Sequence, residues 1–498
     1  MHKNCKFGAV AAGHEATAEV AMEVLRAGGN ATDALIAAYA ASFVAEPCMG
    51  SPGGGAFALL QNTGEEPIIL DFFCQTPAHK KTAEEYEFIP YTVEFGEDSE
   101  VFYTGRGSVA VPGAIAGIFA MHQRGGSIPI RELFSPAIEK MKSGVALNGF
   151  QRYDLELLMG IVFHSEEGRK LFQGEDGVLK KVGDTVQMPA LADLMEVLSI
   201  EGPGEFYRGE IARKQQYYYE SEGGSVSAKD MENYRVEYRK PLNFPLGDYR
   251  VFTNPLPALG GAVMSAVLTE LWDREQRVPT WRSEEYLEMF YRAFSFGRDL
   301  HLNPGKLDQW VGNQMSKKWG STSHISIVDR RGNVAALTTT IGEGNGYFEP
   351  DSQIHMNNML GESALLPGGY HSWATDVRLS SMMNPAICIG PGGDKLVLGS
   401  GGAGRIPYVL ATVIWNVVKK GMDLREAIEK PRLHLDGNYF HLEKAEGVSC
   451  IGAWLKHPAK RWKINSLFFG GVHAVYQNPS GALSAVGDFR REGVERIE

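Results

Sequence analysis

Between Glu15 and Leu25 apolar residues recur every three or four positions, the spacing of one helix face. Gly28 and Gly29 supply its stop. Asn30, with Asp33 three residues on, predicts a capped second helix over "ATDALIAAYAASFVAEP". Alanine on all its sides predicts that this helix is buried. The triplet Asn30-Ala31-Thr32 also spells a glycosylation sequon; the cap is the reading adopted. "GAFALLQ" and "EPIILDFF" are short strand-type runs. The "GSPGGG" at 50–55 lacks the Lys-Ser/Thr of a phosphate loop, which leaves a tight turn where backbone passes close to backbone. From "GSVAVPGAIAG" to about residue 240 the pattern is mostly helical, and "SEEYLEMFYRAFSFGRDLHLNPGK" predicts one more helix ending before a loop. After residue 321 strands dominate: "SHISIVD", "NVAALTTTI", "AICI", "KLVLGS", "GGVHAVYQN" and "LSAVGD", with helices over "IPYVLATVIWNVVKK" and "LREAIEKP". Several strands follow one another through turns too short for a crossover, so the fold class is α+β with largely antiparallel strands. No repeat or low-complexity linker divides the chain, which predicts one continuous globule.

Alternation in "TSHISIVD" puts Thr322, His324, Ser326 and Val328 on one face and Ser323, Ile325 and Ile327 on the other. "DRRGN" closes a turn, and "VAALTTTI" runs back beside it, so that Thr338 or Thr340 comes near Thr322. A threonine hydroxyl is a poor nucleophile without an adjacent base. The spacing itself reveals no Ser-His-Asp arrangement, and threonine also simply suits strands. On the pattern alone both readings stand.

Composition narrows the partners. The 498 residues are 44% hydrophobic and 22% charged, those of a globular protein long enough for an ample core. The net charge of -11 is spread along the chain, which argues against nucleic acid or an anionic membrane and for a small-molecule ligand. Five cysteines (Cys5, Cys48, Cys74, Cys388, Cys450) stand far apart with no CxxC pair, which predicts reduced thiols and no zinc site. The start has no signal-peptide core, and the apolar runs fall short of the roughly 18 residues of a membrane span. A cytoplasmic location is expected.

"DKLVLGSGGAGRIPYVLATVIWNVV" reads strand, glycine loop, helix, and Gly399, Gly401 and Gly404 satisfy GxGxxG. A dinucleotide site is the rival reading from another class, although the acid about 20 residues on is absent as such: Asp423 instead opens "LREAIEKP". The loop's N–H groups could equally hold a developing oxyanion.

Six blocks in order resemble the γ-glutamyltranspeptidase family of N-terminal-nucleophile hydrolases. They are "VLRAGGNATDALIAA" with "EPCMGSPGGGAF", "SVAVPGAIAG", "TSHISIVDRRGNVAALTTTI", "MNNMLGE" (356–362), "LSSMMNP" (379–385) and "GSGGAGRI" (399–406). The resemblance implies a four-layer αββα sandwich with two central, mostly antiparallel sheets. It also implies self-cleavage before Thr322 into segments 1–321 and 322–498, which pair with each other. Thr322 then becomes the nucleophile, its freed α-amine, of pKa about 8, the base. Thr340 matches a second threonine that orients it, and Gly402 and Ala403 match the oxyanion pair. Ser380 and Ser381 match hydroxyls that hold the substrate's α-carboxylate.

Departures from the pattern bear on the acyl group. Phe73 replaces the family's carboxylate-binding arginine, Gly342 an asparagine, Met359 a polar amide, and Glu362 an aspartate. The resemblance therefore implies acyl transfer or hydrolysis of γ-glutamyl amides such as glutathione, with a glutaryl-type amidohydrolase of the same plan as the alternative. No cofactor or metal is implied, and assembly into a homo-oligomer is left open.

Overall fold

The computed structural model describes residues 5–95, 98–273, 279–302, 321–362, 365–366, 371–437, 439–444 and 458–498. Helix α1 (Glu15–Arg26) and helix α2 (Ala31–Ala45) form where the periodicity places them. Asn30 and Asp33 exchange two 3.0 Å hydrogen bonds, each side chain accepting from the other's N–H. Asn30 Nδ2 also donates to the Gly125 carbonyl, so the side chain of the sequon serves as a cap. Every residue of α2 is buried, as its all-round alanine content requires.

The two central sheets contain, in chain order, β1 (Gly8–Ala12), β2 (Gly55–Gln61), β3 (Ile68–Phe72), β4 (Glu237–Arg239), β5 (Leu242–Leu246), β6 (Tyr249–Thr253), β7 (Thr322–Asp329), β8 (Val334–Thr340), β9 (Ala386–Ile389), β10 (Lys395–Gly401), β11 (Gly471–Gln477), β12 (Leu483–Val486) and β13 (Val494–Ile497). One sheet runs β13-β1-β7-β8-β2-β3-β4 and the other β12-β11-β10-β9-β6-β5. All neighbours within them are antiparallel. The sheets pack face to face, with β7 against β10 and β11. Helices α1, α2 and α3 (Ala114–Gly125) cover the first sheet, and α4 (Gly260–Asp273) and α5 (Glu284–Leu302) pack with α6 (Ile406–Ile414) over the second. This is the four-layer αββα sandwich.

Strand alternation sorts the core. Ile325 and Ile327 of β7 face the helices, whereas Val328 and Ala336 lie between the sheets. Segment 50–55 is a close approach, as read: a Cβ at Gly54 would lie 2.7 Å from the Thr340 carbonyl oxygen. The dinucleotide reading does not survive, because β10 is flanked on both sides by antiparallel strands and lacks the parallel βαβ crossover that such a loop needs.

Several elements differ from the pattern-based reading. β1, a five-residue run too short for periodicity to flag, sits fully buried between β13 and β7. A hairpin over Ile89–Phe95 and Asp98–Thr104, and strands β4 to β6, also go beyond it. The helix over "IPYVLATVIWNVVKK" is α only to Ile414, then widens to a π turn over Trp415–Lys419. Cys48, Cys74 and Cys388 are free thiols; Cys450 lies outside the described residues, as does the loop end "NPGK" of the long helix. Among the described residues no helix is long and apolar enough to cross a membrane.

Candidate active site

Thr322 opens β7 and pairs across the ladder with Thr340, the last residue of β8; His324 pairs with Thr338. The turn that sets this register is closed by Asp329, which accepts from Arg331 N–H at 2.8 Å and Asn333 N–H at 3.0 Å. Both threonines are buried. The Thr340 hydroxyl donates at 2.5 Å to the carbonyl of Ser321 and accepts from Gly342 N–H at 2.9 Å. The resemblance implies a Thr340 bond to the Thr322 hydroxyl; in the intact chain it falls on the peptide bond just before Thr322. His324 is not a base for Thr322. Its ring nitrogens are held by Thr338 and Ser326, each at 2.8 Å, and burial keeps its pKa well below the ordinary value, with His473 adding to the effect.

Behind Thr322 the two sheets meet backbone to backbone. A Cβ on Gly401 would lie 2.1 Å from the Thr322 carbonyl oxygen, so only glycine fits there. That oxygen accepts from Arg491 Nη1 at 3.0 Å. Gly402 (φ +121°) and Ala403 (φ +46°) turn the chain immediately after β10. Among the described residues neither N–H donates to a protein acceptor. The next hydroxyl along β7, Ser323, donates to the buried carboxylate of Glu46, which also accepts from Thr17 at 3.0 Å. Burial raises the Glu46 pKa, against the pull of its Ser323 and Thr17 hydrogen bonds and of Arg491. Asp154 is pushed up to about 7 by burial, eased by Arg491 and aggravated by Glu46. Arg491 is itself brought down to about 10 by burial.

Beside Thr340, Gly342 has no side chain because its space is taken. A Cβ there would lie 2.0 Å from Asn358 Oδ1 and 2.2 Å from Glu362 Oε1. Asn358 Oδ1 accepts from Glu343 N–H at 2.9 Å, and its Nδ2 reaches Glu343 Oε2 at 3.3 Å. Asn358 thus fills the space beside Gly342 and is bonded within the fold to Glu343, while Met359 is buried in the apolar core. Phe73 stacks on Phe57 with centroids 5.5 Å apart. Residues 378–381 run beside 73–76, with Leu379 N–H on the Cys74 carbonyl. Ser380 donates to the Pro257 carbonyl at 2.7 Å, and the Ser381 hydroxyl accepts from Met383 N–H at 3.1 Å. Both hydroxyls therefore have partners within the fold. An arginine does stand near Phe73. Arg378 donates to the Phe73 carbonyl and to Tyr234 Oη, 3.6 Å from the Asp71 carboxylate. Arg106 is spent on Glu222 at 2.7 Å and lies over the Tyr347 ring.

The family model of γ-glutamyltranspeptidase matches residues 17–299 and 297–497. The chain belongs to this family. Among relatives, the glutathione hydrolase proenzyme of Escherichia coli (strain K12) is 26% identical over 97% of this chain and 90% of its own length. The acylase ACY 1 proenzyme of Pseudomonas sp. (strain SE83) is 25% identical over 98% of this chain and 92% of its own. In fold, the cephalosporin acylase from Bacillus halodurans superposes with a TM-score of 0.83 at 20% identity, covering all of this chain and 96% of that one. This γ-glutamyltranspeptidase family member is therefore an enzyme on the N-terminal-nucleophile hydrolase fold.

In this family member the structure brings Gly342 and Glu362 beside Thr340, Phe73 against Thr340's ladder partner Gly55, and Gly402 and Ala403 just past Gly401 at the Thr322 carbonyl, whereas Met359 lies in the core and Ser380 and Ser381 are bonded at Pro257 and Met383; it adds five residues that the sequence pattern does not single out. Asn358 is adjacent to Met359 in "MNNMLGE", so a one-residue shift of attention finds it. Glu46, Asp154, Arg378 and Arg491 carry no local signal; only the fold brings them to Thr322 or Phe73.

Proposed function

We propose that Thr322 cuts its own preceding peptide bond and then serves as the nucleophile of an acyl-transfer enzyme acting on γ-glutamyl amides such as glutathione. Thr322 Oγ1 attacks the Ser321 carbonyl carbon, the C–N bond breaks, and the acyl group passes to oxygen as an ester. The hydroxyl proton passes to the departing nitrogen, which becomes the free Thr322 amine, and water then hydrolyses the ester, leaving a carboxylate on Ser321 and restoring the Thr322 hydroxyl. The Thr340 hydroxyl on the Ser321 carbonyl, at 2.5 Å, carries this reading: a donor already sits where negative charge develops in the first step. In turnover the Thr322 amine takes the hydroxyl proton and passes it to the leaving amine, while water or a second amine releases the acyl group. The Gly402 and Ala403 N–H groups are available to the oxyanion.

The two products of cleavage remain one molecule in this reading, because β1 lies between β7 and β13, and β2 beside β8. Trapping an acyl group from a γ-glutamyl anilide on Thr322, located by mass spectrometry, tests the mechanism; an acyl group on any other residue would refute it. A second reading, a different small acyl group such as glutaryl, is favoured by the Phe73–Phe57 wall where the family pattern has an arginine. Comparison of kcat/KM for γ-glutamyl and glutaryl anilides separates the two.

A further inference from the structure

The buried guanidinium of Arg491 sits in a slot built for it. Gly401 and Gly471 leave the room: a Cβ at the first would lie 2.5 Å from Nη1 and at the second 2.5 Å from Cδ. Phe150 covers it, with the guanidinium carbon 5.4 Å from the ring centre. Asp154, Asp488 and Glu46 are the acids whose charges it feels. Its one hydrogen bond among the described residues goes to the Thr322 carbonyl. The next residue, Ser323, is gripped from the other face by Glu46, at the C-terminal end of α2.

We propose that Arg491, aided by the Ser323–Glu46 contact, is a positioning residue that clamps the first residues of β7 once Thr322 has become a chain end. The inference rests on Thr322 being the nucleophile. Cleavage turns a tethered residue into a strand terminus, and termini fray. A displacement of about 1 Å at a reacting group costs about a hundredfold in rate. A buried charged cluster is a poor device for stability alone, since apolar replacements often serve as well. What the cluster does here is hold one carbonyl and one hydroxyl on either side of the Thr322–Ser323 peptide.

The test uses the full-length chain as wild type, R491M, R491K and S323A, with cleavage followed by mass spectrometry and turnover on an acyl anilide. In processed R491M the expected result is kcat lowered about tenfold to a hundredfold with KM within about threefold, and partial recovery in R491K. Hydrogen exchange of amides 323–326 should quicken more than tenfold while β11 is unchanged. Wild-type kcat in processed R491M, or equal loss of protection in both strands, overturns the clamp. If R491M does not fold or does not cleave, S323A decides. A threefold or greater loss of kcat at constant KM supports the clamp, and unchanged kcat overturns it. A wild type that never cleaves defeats the nucleophile reading itself, a result distinct from any of these.

Discussion

The resemblance to the family invites restoring an asparagine at Gly342, but the structure says that any side chain there is costly. Gly342 has φ +67°, and its Cβ position is 2.0 Å from Asn358 Oδ1 and 2.2 Å from Glu362 Oε1. In Gly342→Ala the left-handed backbone costs about 1 to 2 kcal/mol. Pushing Asn358 aside breaks the 2.9 Å bond from Glu343 N–H, which adds about 1 to 3 kcal/mol for a buried donor left unpaired. The expected total is about 2 to 5 kcal/mol, summing these two terms. Gly64→Ala isolates the first, since Gly64 has φ +88° and nothing within 4 Å of its Cβ position. Urea unfolding of both variants beside wild type reads the difference. Gly342→Ala should lose at least about 1 kcal/mol more than Gly64→Ala, with kcat/KM falling as Asn358 and Glu362 shift. Equal midpoints for the two variants would mean that Asn358 does not fill the Gly342 space.

Thr340→Ala should slow self-cleavage about tenfold to a hundredfold, the size of one lost charge-stabilising hydrogen bond, and Thr340→Ser should restore most of it; a gel time course reads both, and wild-type rates in Thr340→Ala would remove that hydroxyl from the mechanism. Asp154, with a folded pKa of about 7 against the ordinary 3.8, binds more protons folded than unfolded between those values. Its contribution therefore destabilises the fold progressively as pH rises from about 4 to 7 and is flat above. Asp154→Asn should remove that component of the slope in unfolding curves; Glu46, which burial also raises, adds its own, while Arg491 at about 10 and Cys48, pushed up by burial, keep their protons across this range. For substrate choice, Phe73→Arg should improve kcat/KM for γ-glutamyl over glutaryl anilide by about tenfold or more, one charge-assisted contact. No change in that ratio would mean that Phe73 does not face the acyl group.

Helix α2 with its Asn30 cap and the β7–β8 hairpin are legible because each rests on local periodicity and turn chemistry; the pattern brings Thr338 or Thr340 near Thr322, and the register that selects Thr340 is set by the fold. β1 is not, since five apolar residues have no period to read and the strand owes its existence to partners more than 300 residues away. The side of the site that acts on Thr322 from behind is equally hidden. Arg491 is one arginine of a consecutive pair near the C-terminus, and its neighbour Arg490 pairs instead with Glu443 and Asp488. Only the packing of β10 and β11 against β7 tells the two apart. Gly342 is legible as a departure from the family pattern, but that its space is filled by Asn358, sixteen residues on, is visible only in the fold.

The central claim is that Thr322 becomes an N-terminus. Intact-mass measurement of purified protein over time, wild type beside Thr322→Ala, tests it most directly. Wild type should resolve into segments of 321 and 177 residues, the division of the 498 at Ser321–Thr322, co-eluting as one particle, with Thr322→Ala remaining a single chain. A wild-type chain that stays whole after long incubation, or an alanine variant that cleaves at the same bond, would contradict the mechanism.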